Sequence, residues 1–336
     1  MQSSRRVPFF PFFISLALLF SMVLVACGSS APSSSTTGSS TPLIKASIGL
    51  GYIPDVQFAP FYVAVNQGYY KDAGLDVTLN HGIVTDLMGE MMSGKDTFVF
   101  AGGDDTLVAR SQNLPVVDVS TLYQNYPVCI IVPANSSIKT LADLKGHTIG
   151  LPGLYGSTYV GMLALLHAGG LTSKDVKLQS IGFTQVSALQ KGSVDAVVGY
   201  TNNEPLQLQR LGINVRTFAV SDYQPMVSNG IITTESTLQD QDKNLVQPFV
   251  QATIKGLNYV IAHPAEAVQI SKSFVPGMDV AKATEELQAT IIDWKGNGQT
   301  PMGQSELATW QSMSAFMASQ KLIPANMDVS KAFVNS

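Results

Sequence analysis

Cysteine is nearly missing from this chain: two occur in 336 residues. Cys27 ends a leader-like segment, and Cys129 lies in the apolar run "PVCIIVP". One remaining thiol cannot cross-link a fold internally, so a disulfide scaffold is excluded and Cys129 reads as buried packing. Histidine is almost as sparse. His81, His147, His167 and His263 are scattered without ligand spacing, and there is no H-E-x-x-H, which gives no reason to expect a metal. Basic residues do not cluster enough to follow a phosphate backbone, which argues against nucleic acid. "GLPGLYG" is glycine-rich but has neither the G-x-G-x-x-G spacing nor a P-loop lysine, and no G-x-S-x-G elbow occurs. With no nucleophile–base pair in view, the chain reads as a non-enzyme without a cofactor.

What is present begins with Arg5 and Arg6, ahead of an apolar run from Val7 to Ala26 that closes on "LVAC". Small residues before a cysteine suit a lipoprotein signal over residues 1–27, acylated at Cys27. An uncleaved anchor is the alternative, because the run approaches the roughly 20 residues that span a bilayer. Residues 28–42, "GSSAPSSSTTGSSTP", carry no charge and no large apolar side chain. They read as a flexible tether extending to residue 43. Lipid, tether and globule together describe an extracytoplasmic, membrane-anchored protein. Removing Arg5 and Arg6 from the 20 basic residues leaves 18 against 24 acidic ones, so the mature chain is net acidic.

The remainder alternates strand-like and helix-like runs, the pattern of a mostly parallel sheet covered by helices, and it is long enough for two lobes. Pro60 is placed to open the helix "FYVAVNQG" and Gly68 to close it. "SGKDTFVFAGGDD" and "KGSVDAVVGYTNNE" share one form: helix end, glycine, acid, apolar strand, polar loop. The echo predicts two lobes built alike, each offering a polar loop at a strand's C-terminal end, where α/β sheets take their ligands. Residues 44–133 and 229–336 are assigned to lobe 1, and 134–228 to lobe 2.

Candidate binding residues follow from this arrangement. "GYIPDVQFAPFYVAVNQGYYKDAGLDVTLNHG", residues 51–82, holds six Tyr/Phe and a histidine. Pro54 stiffens the first loop, so Tyr52 and Phe58 can stand as flat walls beside Asp55 and Gln57. Phe61, Tyr62 and Tyr69 fall at helical spacing that turns them inward. Asp104 and Asp105 either cap a helix or bond a ligand. Glu204 has the same two readings, flanked by Tyr200, Asn202 and Asn203. Tyr155, Ser157 and Thr158 lie at a helix N-terminus, which suits an acceptor-rich or anionic group or simply caps the helix. Tyr123 and Tyr126 border the cleft from the hinge side. Aromatic walls with amide and carboxylate partners describe a pocket for a planar heterocycle.

"GYIPDVQFAPFYVAVNQGYYKDAGLDV", "TLADLKGHTIGLPG" and "GSVDAVVGYTNNEP" resemble the NMT1/THI5-like substrate-binding proteins of ABC importers, over nearly all of residues 45–335. The resemblance implies an α/β, two-lobed periplasmic-binding-protein fold with a ligand cleft between lobes that close on binding. It also implies a monomer that delivers a small molecule to a membrane ABC permease. Pyrimidine binders of the family show D-W-x-P-N-x-x-H in the first loop, which this chain replaces with Gly51-Tyr52-Ile53-Pro54-Asp55 and Phe58. The wording is closer to the riboflavin-binding branch, and no Arg or Lys lies in the cleft loops to favour sulfonate or nitrate. Riboflavin is therefore the expected ligand and a thiamine pyrimidine precursor the alternative. A pyrimidine-synthesis enzyme, as among cytosolic relatives, is the rival of another class.

Overall fold

The computed structural model describes residues 42–335. The expected signal, its Cys27 and nearly all of the tether lie outside those residues. Ten strands form two sheets: β1 (Ile44–Leu50), β2 (Leu75–His81), β3 (Phe98–Gly102), β4 (Val116–Thr121), β5 (Val128–Pro133), β6 (Thr148–Leu151), β7 (Lys177–Ser180), β8 (Ala196–Tyr200), β9 (Val215–Ala219) and β10 (Asn229–Thr234). The first sheet has the order β2-β1-β3-β10-β4 and the second β7-β6-β8-β5-β9. In each, four strands run in one direction, and the fourth position in the order holds the single antiparallel strand, contributed across the chain crossing. The echo in the sequence has a counterpart here. β3 and β8, the strands of the two echoing segments, occupy the same central position in their sheets.

The centre of each sheet is apolar on both faces because helices cover both sides. Phe98 and Phe100 of β3 face one core, with Phe61, Phe249 and Trp294, while Val99 and Ala101 face another with Leu87 and Met91. Ile130 and Val132 of β5 pack with Met162, Leu165 and Phe218, and Cys129 and Ile131 pack on the opposite face with Leu189 and Leu208. Cys129 is buried and free.

The helix read at "FYVAVNQG" spans Ala59–Asn66 with Pro60 in its first turn, and Gly68 follows at φ 73°. Its neighbour is the helix Gln247–Ala262, where Gly256 lets the backbones touch. A Cβ at Gly256 would lie 2.3 Å from the Pro60 carbonyl oxygen.

Two boundaries differ from the sequence reading. Residues 128–133, placed there with lobe 1, form β5 between β8 and β9 of the second sheet. A strand without polar residues on either face needs that doubly covered position, so the chain crosses before Val128. The C-terminal stretch is also divided. The helix Leu307–Ser319 puts Trp310, Met313, Phe316 and Met317 into the second sheet's core, together with Ile323, Val329 and Ala332. It then returns to the first sheet, where Val334 N–H donates to the Asp118 carbonyl at 2.8 Å.

Candidate ligand-binding cleft

The C-terminal ends of the parallel strands in both sheets open on one cleft of about 930 Å³, its open mouth included. β1 delivers Tyr52, with Gln57 and Phe58 in the loop beyond it; β3 delivers Gly102 and Asp105. From the second sheet, β6 leads into Tyr155, Ser157 and Thr158, β7 into Phe183 and Gln185, and β8 into Tyr200, Asn203 and Glu204. Such strand ends collect ligands because the chain turns there into exposed loops and free helix N-termini.

The walls are aromatic. Tyr52 meets Phe183 edge-on across the cleft, ring centres 5.1 Å apart at 87°. Burial, then the nearby Glu204 and Asp55 carboxylates, push the Tyr52 phenol up to about 12, so it stays a hydrogen-bonding hydroxyl at neutral pH. Phe58 forms part of the floor, edge-on to Phe100 at 6.1 Å, and is itself core. Tyr155 and Phe183 are 49% and 52% exposed at the mouth. Large rings left half in water cost hydrophobic free energy that a flat guest would recover.

The polar groups are acids and amides. Asp104, 1% exposed, accepts the Ser157 hydroxyl at 2.9 Å and the Tyr126 phenol at 3.1 Å through Oδ1, while its Oδ2 has no protein partner. Burial pushes its carboxyl up to about 6. Asp105 accepts the Gly102 N–H at 3.2 Å and is pushed up by burial and by the charge of Asp104. Glu204 accepts the Tyr200 N–H at 2.8 Å, and burial raises it to about 7. The lobes touch at Gly102, where a Cβ would fall 2.3 Å from Asp104 Oδ1 and 2.5 Å from Ser157 Oγ. Only glycine leaves room for that contact. Among the described residues, none of those lining the cleft is Lys, Arg or His.

Ten of the residues singled out from sequence line this cleft: Tyr52, Gln57, Phe58, Asp105, Tyr155, Ser157, Thr158, Tyr200, Asn203 and Glu204. Five do not. Asp55 caps a short 3₁₀ turn by accepting the Gln57 N–H at 3.0 Å and faces a separate hollow beside Arg210 and Glu286. Asp104 and Asn202 each precede a residue that does face the cleft, and one step along a tight turn swings the next side chain elsewhere. Asn202 Nδ2 donates instead to Thr290 Oγ1 at 2.8 Å, joining its loop to the helix Val280–Lys295. Tyr123 packs into the first core, edge-on to Trp294 at 6.0 Å. Tyr126 lies behind the cleft, its phenol bonded to Asp104 and to the Ser157 carbonyl at 3.1 Å. Sequence reasoning missed Phe183, Gln185, Phe100, Pro152, Asn229 and the turn at Ile83–Thr85. Phe183 was findable, as an aromatic in the polar loop after a strand; Asn229 enters from an antiparallel strand and carried no signal.

The Tyr126 phenol donates to a carboxylate that is ionised above about pH 6, and a bond to a charged acceptor is the stronger kind. Tyr126→Phe is expected to cost about 1–2 kcal/mol at pH 8 and less at pH 5, read by urea unfolding. Equal losses at both pH values would show that this bond is not what the phenol contributes.

A pattern for the family described as "NMT1/THI5 like" matches residues 55–267. The chain belongs to the NMT1/THI5-like family. A relative from Chloroflexus aurantiacus, the riboflavin-binding protein RibY, is 32% identical over 96% of each chain. A formylaminopyrimidine-binding protein from Halalkalibacterium halodurans is 25% identical over 90% of this chain and 91% of its own. Among solved structures, the alkanesulfonate-binding protein SsuA from Xanthomonas axonopodis pv. citri bound to MOPS superposes with a TM-score of 0.70 at 17% identity, over 88% of this chain and 100% of that one. This NMT1/THI5-like chain thus has the α/β, two-lobed periplasmic-binding-protein fold. Among the described residues, no helix is long and apolar enough to cross a membrane.

Proposed function

We propose that this protein is an extracytoplasmic solute-binding lipoprotein, tethered through Cys27, that captures a planar aromatic heterocycle and delivers it to an ABC permease. Riboflavin is the ligand favoured. The observation that carries the reading is the cleft itself: Tyr52, Phe183 and Tyr155 stand around an opening whose polar edge is Asp105, Asn203, Glu204 and Gln185. Stacking faces hold a flat ring system, and amide and carboxyl groups pair with the alternating donors and acceptors along its edge. Likeness to the riboflavin-binding relative over nearly the whole chain supports the same choice. Likeness to the formylaminopyrimidine-binding relative supports a thiamine pyrimidine precursor as the second reading.

Purified protein is expected to quench riboflavin fluorescence in a saturable titration and to unfold at a higher temperature when riboflavin is present. Phe183→Ala and Tyr155→Ala are each expected to weaken binding about fivefold, since one lost stacking contact is worth on the order of 1 kcal/mol. Absence of both quenching and thermal shift would remove riboflavin. A shift with formylaminopyrimidine instead would transfer the assignment to the pyrimidine.

A further inference from the structure

In this two-lobed plan the N-terminus of the helix Gly156–Ala168 opens into the cleft, and its free N–H groups would ordinarily attract an anion. Here the opposite lobe's own acids meet it. Asp104 takes the Ser157 hydroxyl at 2.9 Å. Asp105 Oδ1 lies 3.9 Å from where a Cβ on Gly156 would stand. Glu204 lines the cleft from the β8 side, and no cationic side chain lines it among the described residues. His81 packs edge-on behind the lining ring of Phe58 at 5.3 Å, with its two ring nitrogens bonded to the Tyr62 hydroxyl and the Tyr52 carbonyl at 3.2 Å each.

We infer that the cleft admits the uncharged form of its ligand and rejects the phosphorylated or sulfonated form, with Asp105 occupying the place an anionic group would take, Asp104 seated behind it and Glu204 reinforcing the exclusion. This rests on the reading of the protein as a binder of planar heterocycles. A phosphate entering the cleft would shed its water without gaining a cation, and it would face the acids Asp105 and Glu204 on the cleft wall with Asp104, ionised above about pH 6, close behind. A buried anion left without a counter-charge is strongly disfavoured. The neutral alcohol meets no such barrier, because its hydroxyl can donate to the same carboxylates.

The experiment compares pairs that differ only by a phosphate: riboflavin with riboflavin 5′-phosphate, and hydroxymethylpyrimidine with its phosphate, by titration at pH 8. The expected result is at least a 100-fold preference for the alcohol in whichever pair binds. Asp105→Asn and, separately, Glu204→Gln are expected to narrow that gap at least tenfold, chiefly by admitting the phosphate. Thermal unfolding shows which variants are folded, and either one suffices. Riboflavin 5′-phosphate binding within threefold of riboflavin would overturn the charge rule and leave the flavin reading standing. Failure of both flavins would overturn the flavin reading, and the pyrimidine pair would then decide the rule. Failure of all four would overturn both.

Discussion

Raising the pH from 4 to 8 is expected to destabilise the unliganded protein by several kcal/mol, and Asp118→Asn to remove a large share of that loss. Asp118 lies in β4, 1% exposed, with Oδ1 accepting the Ser120 N–H at 3.0 Å and Oδ2 without a partner. No cation pairs with it among the described ion pairs. Burial pushes its carboxyl from 3.8 up to about 7. In the unfolded chain the group ionises near 3.8, while in the fold it keeps its proton to about 7. Its contribution is therefore fully present below pH 4 and is lost as the pH rises to 7, worth on the order of 3–4 kcal/mol.

Glu204, Asp104 and Asp293, raised by burial to about 7, 6 and 6, act with the same sign. Exposed acids such as Asp143 and Asp175 are held low by hydrogen bonds and act with the opposite sign, their contribution disappearing as the pH falls below about 4. Asparagine at 118 keeps the acceptor for Ser120 and cannot ionise, so wild-type and variant stabilities should diverge between pH 4 and 7. Parallel curves from urea unfolding across that range would sink the account.

Gly256→Ala is expected to destabilise the protein by about 2–3 kcal/mol or more, although alanine favours a helix by about 1 kcal/mol over glycine. The added methyl would stand 2.3 Å from the Pro60 carbonyl oxygen and 3.2 Å from the Ala64 methyl. A backbone carbonyl inside a packed helix cannot step aside, so the two helices must separate. Gly89→Ala, in the helix Val84–Met92, is the control: nothing lies within 4 Å of its would-be Cβ. That variant should gain about 0.5–1 kcal/mol. If both variants gain stability in urea unfolding, the close approach of the helices has been overstated.

The alternation of elements, the ends of the helix at Pro60 and Gly68, and the matching of β3 with β8 were legible because each depends on local spacing or on one special residue. The cleft was legible where a polar loop follows a parallel strand, as at Tyr52, Asp105, Ser157 and Glu204. What sequence could not resolve was direction. Asp104 and Asp105 look interchangeable in a string, yet one faces the cleft and the other anchors the lobes behind it. Tyr123 and Tyr126 share a loop and a chemistry, and both are withdrawn from the cleft by tertiary contacts made with residues far along the chain. The allocation of β5 and of the C-terminal helix was hidden for the same reason, since an apolar run does not say which core it will join.

β10 lies between β3 and β4. Through it the first sheet depends on the last-made part of the two-sheet plan, because β4 has no neighbour in that sheet until Asn229–Thr234 arrives. A nascent chain that has emerged only through β9 carries the whole second sheet but must hold the first one open. Any premature stop before residue 229 therefore leaves β3 with a bare hydrogen-bonding edge seeking a substitute partner.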